Sequence, residues 1–188
     1  MTALTIHTVA SAPAASKPLL EGLQKNFGFI PNLFAAFAES PAALQGALAI
    51  AEAFSKSSLS PGEQQLIALA VSEANDCPFC VAAHSTFAKR FARVAPEIVA
   101  AVRERAPLSD AKLNALVSFV RKVVEQRGWA ADADVAAFLA AGYGKAQLIE
   151  VLMGVGMKTY NNYVDHIGHL PLNDQFKPEA WQPKRKAA

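Results

Sequence analysis

The stretch that decides the fold runs from residue 59 to residue 84 and reads LSPGEQQLIALAVSEANDCPFCVAAH. A serine and a proline precede a run of apolar residues at helical spacing, which predicts a helix over residues 61–75. Ser60 is the expected N-cap, and Glu63 three positions later completes a capping box. A second helix is expected to begin at Pro78, because proline fits the first turn of a helix.

Helical periodicity continues on both sides of this stretch, and no run of residues alternates between apolar and polar positions. We therefore expect an all-α fold. Ser40 and Ser109 are the expected N-caps of two further helices, and Gly128 is expected to close the helix that starts near Asp110. The predicted helices cover residues 17–26, 31–38, 41–56, 61–75, 78–91, 95–104, 110–127, 131–140 and 144–163.

The length of 188 residues fits one ordinary domain. We expect an extended lead-in over residues 1–16, a helical domain over 17–175 and a tail over 176–188 whose basic run, 184–186, is a solvated end. The apolar content of 52% suggests surface that is hidden in an oligomer. The net charge of +2, with basic residues scattered, argues against a nucleic-acid groove.

The sequence also favours a cytosolic location. No basic residue precedes an apolar run in residues 1–16, so a secretory signal is not expected, and no segment is apolar for the roughly 18 residues that a membrane span needs. The chain has two cysteines, three positions apart. In the cytosol such a pair is more typical of a catalytic or metal-binding site than of a structural disulfide.

A faint internal repeat suggests two related helical halves that pack on each other. The residues QLI and a later histidine occur twice, 82 positions apart, at 65–67 with His84 and at 147–149 with His166. The places of the two cysteines are taken in the second copy by Thr159 and Asn162.

Cys77, Cys80 and His84 are three and four positions apart, so in a helix they lie on one face, one above the other. A cysteine in the first turn is stabilised as a thiolate by the helix dipole and the free N–H groups. Asn75 or Asp76 is the expected cap of this helix. The two sulfurs could then attack a peroxide or a disulfide and close a disulfide with each other, with His84 as the base.

The two cysteines and the histidine also fit a zinc site or a purely structural role. A zinc site would need a fourth ligand beside Cys77, Cys80 and His84, and the remaining histidines are remote in sequence. The cysteines could also be structural, since a free cysteine packs like a small apolar residue. A thioredoxin-like fold is not expected, because the residues before the first cysteine read as a helix rather than a strand.

Three segments together resemble the alkylhydroperoxidase D-like (AhpD-like) group of the carboxymuconolactone decarboxylase superfamily: the stretch 59–84, GFIPNLF at 28–34 and NYVDH at 162–166. The resemblance covers most of residues 20–175. It implies a helical fold that assembles as homotrimers or homohexamers. It also implies a peroxidase or dithiol oxidoreductase that acts on an organic hydroperoxide or disulfide, without a bound cofactor or metal.

The resemblance also implies roles for single residues. Cys80 would be the attacking thiol, Cys77 would resolve it into a disulfide, and an external dithiol such as a lipoylated protein would reduce that disulfide. His84 and a glutamate would relay protons. Gln65 stands in the place of that glutamate, so the nearest carboxylate, Glu63, is the candidate for the relay, its alternative role being the capping box.

Two further functions remain compatible with the sequence. The first is a lactone decarboxylase without thiol chemistry, as in other members of the superfamily. The second is an oligomer that senses redox state without catalysis. His166 could approach the site from the second half or be a structural histidine near a helix end.

Overall fold

The computed structural model describes residues 4–183, and all regular secondary structure within them is helical. The predicted all-α fold is therefore confirmed. The α-helices are α1 (Lys17–Phe27), α2 (Asn32–Phe37), α3 (Pro41–Ser55), α4 (Pro61–Ala74), α5 (Pro78–Arg90), α6 (Pro96–Arg103), α7 (Ala111–Glu125), α8 (Asp132–Ala140) and α9 (Lys145–Gly168). Short 3-10 helices cover Ala14–Ser16 and Asp174–Glu179.

The central helix is α4. It begins with the expected capping box, in which Glu63 N donates to Ser60 Oγ at 3.3 Å and Ser60 N donates to Glu63 Oε2 at 2.8 Å. Every residue from Leu66 to Glu73 is buried. A helix that is buried on all sides needs neighbours around its whole circumference, and α4 packs against α5, α7 and α9.

The long helix α9 crosses close to α3 and α4 at a glycine. A Cβ atom at Gly154 would lie 2.8 Å from the ring of Phe54 on α3 and 3.0 Å from Ile67 on α4. These helices could not approach so closely with a larger residue at this position. The contact brings the second half of α9 alongside the α4–α5 junction.

The C-terminal segment packs on α5 beyond the predicted tail boundary at residue 175. Phe176 is buried, and its ring lies 5.8 Å from that of Phe79. Glu179 accepts hydrogen bonds from Lys89 at 2.9 Å and Arg103 at 2.8 Å, which fasten the segment to α5 and α6. The basic run at 184–186 lies outside the described residues.

Two details of the helix ends differ from the sequence predictions. The N-cap of α7 is Asp110, which accepts from Leu113 N at 2.9 Å, rather than Ser109. A carboxylate is as good an acceptor at this position as a hydroxyl. Gly128 closes the end of α7 as predicted, with φ 88° and its N–H bonded to the carbonyl of Val123 at 2.8 Å.

The internal repeat corresponds to different local structures. Its first copy is broken between α4 and α5, whereas its second copy runs through the continuous helix α9, which continues to Gly168. The two copies do pack on each other through α4 and α9. Within residues 4–183, no single helix has the length and apolar character to cross a membrane; α8 and α9 meet these criteria only as a pair bent by 117°.

Candidate active site

The turn between α4 and α5 holds the two cysteines in place. Asp76 adopts a left-handed φ of 53°, and Cys77 N donates to the carbonyl of Ser72 at 2.9 Å. The N-cap of α5 is Cys77 itself, so the predicted caps Asn75 and Asp76 were wrong. Asn75 is engaged elsewhere, because its Nδ2 donates to Asn162 Oδ1 on α9 at 3.0 Å.

Cys80 is the third residue of α5, in the turn where N–H groups favour an anion. Its side chain is 1% exposed, and the Nζ of the buried Lys158 donates to its Sγ at 3.5 Å. A hydrogen bond from Cys77 lowers the pKa of Cys80 to about 7, against the effect of burial and with the help of the Lys158 charge. A thiolate at Cys80 is therefore accessible near neutral pH.

Cys77 is fully buried and has the opposite environment. Its Sγ donates to Asp165 Oδ2 on α9 at 3.2 Å. Burial raises the pKa of the Cys77 thiol, and its hydrogen bond to Cys80 and the negative charges of Cys80 and Asp165 act in the same direction. Since a thiol has one proton, Cys77 can donate it to Cys80 or to Asp165, but not to both at once.

His84 faces Gln65 across the α4–α5 interface. Its Nδ1 lies 2.9 Å from Gln65 Oε1, so the ring proton is on Nδ1 and Nε2 keeps a free lone pair. Burial and the nearby charge of Lys158 hold the pKa of His84 well below its usual value. The imidazole is therefore neutral at pH 7 and can accept a proton.

A cavity of about 300 Å³ lies beside Cys80 and His84. Of the two cysteines, only Cys80 lines it, together with His84 and Lys158. Its other walls are largely aromatic, and the rim residue Phe91 is 73% exposed. The phenylalanines that line it are Phe27, Phe34, Phe54, Phe79, Phe87, Phe91 and Phe176.

Comparisons with known proteins relate part of the chain to a family and its fold to several solved structures. Residues 35–122 match the model of the carboxymuconolactone decarboxylase family. A peroxidase-related protein from Silicibacter sp. TM1040 has the same fold, with 22% identity, a TM-score of 0.80 and 93% of each chain covered. So does an AhpD-core peroxidase-related protein from Ralstonia eutropha JMP134, with 22% identity, a TM-score of 0.83, and 93% of this chain and 94% of that chain covered.

Residues 35–122 are thus similar to the carboxymuconolactone decarboxylase family, and the fold is that of AhpD-like proteins. A further structure with this fold is the debrominase Bmp8 in complex with 2,3,4-tribromopyrrole, with 16% identity, a TM-score of 0.81, and 95% of this chain and 96% of that chain covered. None of the curated proteins matches the chain in sequence.

The place of the family's relay glutamate is occupied here by a neutral amide. Gln65 contacts His84, but an amide cannot take up a proton. Glu63, the carboxylate predicted for the relay, has other partners: Ser60, through the capping box, and Tyr143, whose hydroxyl donates to Glu63 Oε1 at 2.9 Å. The geometry therefore gives Glu63 a capping role and does not bring it to the cavity.

The charged residues nearest the sulfurs, Lys158 and Asp165, were not singled out from the sequence. They are seven positions apart on α9, on the face that also carries Asn162. The sequence does contain a sign of their role, because burying a lysine or an aspartate in the apolar stripe of a helix costs free energy unless the charge has a partner.

His166 lies beside this face, and its buried Nε2 has no hydrogen-bond partner. His166 is not among the residues that line the cavity. Within residues 4–183, no three or more histidine, cysteine, aspartate or glutamate side chains form a group that could hold a metal ion.

Proposed function

We propose that the protein is a thiol-dependent peroxidase or dithiol oxidoreductase in which Cys80 attacks and Cys77 resolves. The observation that carries the proposal is the asymmetry of the two sulfurs. Cys80 lines an apolar cavity beside the Lys158 ammonium, whereas Cys77 is buried behind it against the Asp165 carboxylate. A low-pKa thiolate that substrate can reach, with a second thiol held in reserve, is the arrangement that this chemistry requires.

In the first step the Cys80 thiolate attacks the terminal oxygen of a hydroperoxide. The S–O bond forms as the O–O bond breaks, which gives a sulfenic acid at Cys80 and an alkoxide. The alkoxide takes a proton from the site, where the Lys158 ammonium donates to the sulfur. His84, which is neutral and lines the same cavity, is the proposed relay for the proton that Cys80 loses when it ionises.

In the second step Cys77 displaces hydroxide from the sulfenic acid, so that a disulfide forms and water leaves. The three-residue spacing allows this bond across the first turn of α5. An external dithiol, such as a lipoyl group on a carrier protein, then reduces the disulfide. The cavity gives it access to the Cys80 sulfur and not to that of Cys77.

The lining of the cavity favours an apolar organic hydroperoxide over hydrogen peroxide. Its phenylalanine side chains offer a large apolar surface with few polar groups, which matches an alkyl or aryl substituent. Burial of such a substituent contributes binding energy of about 0.8 kcal/mol for each CH₂ group.

The test is hydroperoxide turnover with a dithiol donor in two matched variants. Cys80→Ser is expected to lose turnover completely. Cys77→Ser is expected to consume one equivalent of hydroperoxide and stop at the sulfenic acid. Turnover that survives in Cys80→Ser, or after alkylation of both cysteines, would instead support lactone decarboxylase-like chemistry. A change of oligomer size on oxidation without turnover would support a redox sensor.

Reductive dehalogenation is a second candidate. The debrominase Bmp8 shares the fold and binds 2,3,4-tribromopyrrole, and the aromatic walls of this cavity suit a small flat ring. A dithiol could exchange bromide on an aromatic carbon for hydrogen while it closes to a disulfide. Release of bromide from tribromopyrrole by the reduced protein, but not by Cys80→Ser, would support this reaction.

A further inference from the structure

Asp165 has a contact that the two-cysteine reaction described above leaves unused. Its side chain is buried at 6% exposure, and its Oδ2 accepts from Cys77 Sγ at 3.2 Å. The other oxygen, Oδ1, accepts from Leu170 N at 3.3 Å, just beyond the end of α9. The carboxylate is thus held from both sides, with one oxygen facing the resolving sulfur.

Asp165 does not line the cavity in which the groups that act on substrate lie. His84 and Lys158 line the cavity together with Cys80, while Asp165 and Cys77 do not. His84 is paired with Gln65, on the side of α5 that faces α4. Among the side chains described here, Asp165 is therefore the carboxylate that contacts the second sulfur and not the first.

We propose that Asp165 is the catalytic base for Cys77, which takes the Cys77 proton as the disulfide closes. This inference rests on the proposed dithiol function. When Cys77 attacks the Cys80 sulfenic acid, the S–S bond forms and the S–O bond breaks. Asp165 takes up and keeps the thiol proton, and the departing hydroxide takes its proton from the Lys158 ammonium beside the Cys80 sulfur and leaves as water. No proton is gained or lost overall.

The same carboxylate serves the return reaction. An external thiolate attacks Cys80, the disulfide breaks, and the electron pair goes to Cys77. Asp165 then returns a proton to the Cys77 sulfur, which burial disfavours as an anion. Burial also raises the pKa of Asp165, so this carboxylate is a better proton acceptor than an exposed aspartate.

The test separates the two chemical steps in a single turnover of the reduced protein. Asp165→Asn keeps the shape of the side chain and its acceptor for Leu170 N, but it cannot take a proton. After one equivalent of hydroperoxide, a sulfenic-acid probe should label this variant for much longer than wild type, because disulfide closure is slowed about 10²-fold, at the lower end of general-base effects. Asp165→Glu, which keeps the carboxylate, should recover part of the rate.

Closure at the wild-type rate in Asp165→Asn would overturn the proposal. Should that variant fail to fold, the solvent deuterium isotope effect on closure in the wild-type protein decides instead, and its absence would overturn the proposal equally. Failure of the proposed function is distinguishable, because it would appear as hydroperoxide consumption that persists in Cys80→Ser. Cys80→Ser tests the first step, the attack on the hydroperoxide, whereas Asp165→Asn tests the second, the closure of the disulfide.

Discussion

The Lys158 side chain is 2% exposed, and its ammonium group lies 3.5 Å from the Cys80 sulfur. A buried ammonium is costly in free energy unless an anion offsets its desolvation. The Cys80 thiolate is such an anion, and the Lys158 charge stabilises it. The same cation also helps to keep His84 neutral, which leaves the imidazole free to act as a base.

Replacement of Lys158 by methionine should therefore weaken the thiolate. We expect the pH midpoint of Cys80 alkylation to rise from about 7 toward the ordinary thiol value of about 8.5, with a several-fold slower reaction at pH 7. Lys158→Arg, which keeps the charge, is the control and should stay closer to wild type. An unchanged midpoint in Lys158→Met would show that the cation does not control this thiol.

Gln65 offers a second test at the level of one residue. Gln65→Glu places a carboxylate 2.9 Å from His84 Nδ1, where an amide oxygen now lies. A nearby negative charge favours the imidazolium, so the pKa of His84 should rise from its lowered value. An NMR titration of the imidazole measures it. Gln65→Met is the uncharged control, and equal titration curves for the two variants would contradict the expectation.

At the scale of helices, the capping box and the close crossing of α9 make separate contributions to stability. Glu63→Ala removes the carboxylate that accepts from Ser60 and Tyr143 at the start of α4. We expect the free energy of unfolding in urea to fall by about 1 kcal/mol, with the alkylation midpoint of Cys80 unchanged. Loss of thiol reactivity without loss of stability would instead assign Glu63 to the proton relay.

The crossing of α9 over α3 predicts opposite effects at two glycines of one helix. Gly154→Ala would place a Cβ atom 2.8 Å from the Phe54 ring, and we expect a loss of about 1–3 kcal/mol in the free energy of unfolding. Gly156→Ala meets nothing within 4 Å and should gain up to about 1 kcal/mol, because alanine favours a helix. Thermal or urea unfolding of both variants measures the difference. Equal effects would contradict the packing.

At the scale of the molecule, α9 carries an exposed apolar stripe on the side away from the core. Its members are Ile149, Leu152, Tyr160, Tyr163 and Ile167, which are 39–65% exposed. Exposed apolar surface of this extent on one helix is typical of an interaction site. We propose that it joins copies of the chain in the homotrimer or homohexamer that the family resemblance implies.

The stripe can be tested by light scattering on size-exclusion fractions. Tyr163→Glu should shift the protein to a smaller species, because a buried charge at an interface is strongly unfavourable. Phe91→Glu replaces another exposed aromatic, at 73% exposure, which follows α5 and is not part of the stripe, and should leave the mass unchanged. The same mass for both variants would place the interface elsewhere.

The sequence was most informative where the information is local. Periodicity and capping residues predicted the helix bounds to within about two residues, except at the end of α9, and Cys80 was correctly placed in the first turn of a helix. The partners of the sulfurs could not be predicted in this way. Lys158 and Asp165 are 78 and 88 positions from the cysteines they contact, and local periodicity does not show which helix faces meet.

The most direct test of the proposed chemistry is to map which sulfur reacts, and at what pH. The reduced wild-type protein is treated with limiting iodoacetamide across pH 5–10, and the modified residue is identified by fragmentation mass spectrometry. Modification at Cys80 with a midpoint near pH 7 is the expected result. Modification first at Cys77, or a midpoint near the ordinary thiol value of about 8.5, would contradict the assignment of Cys80 as the nucleophile.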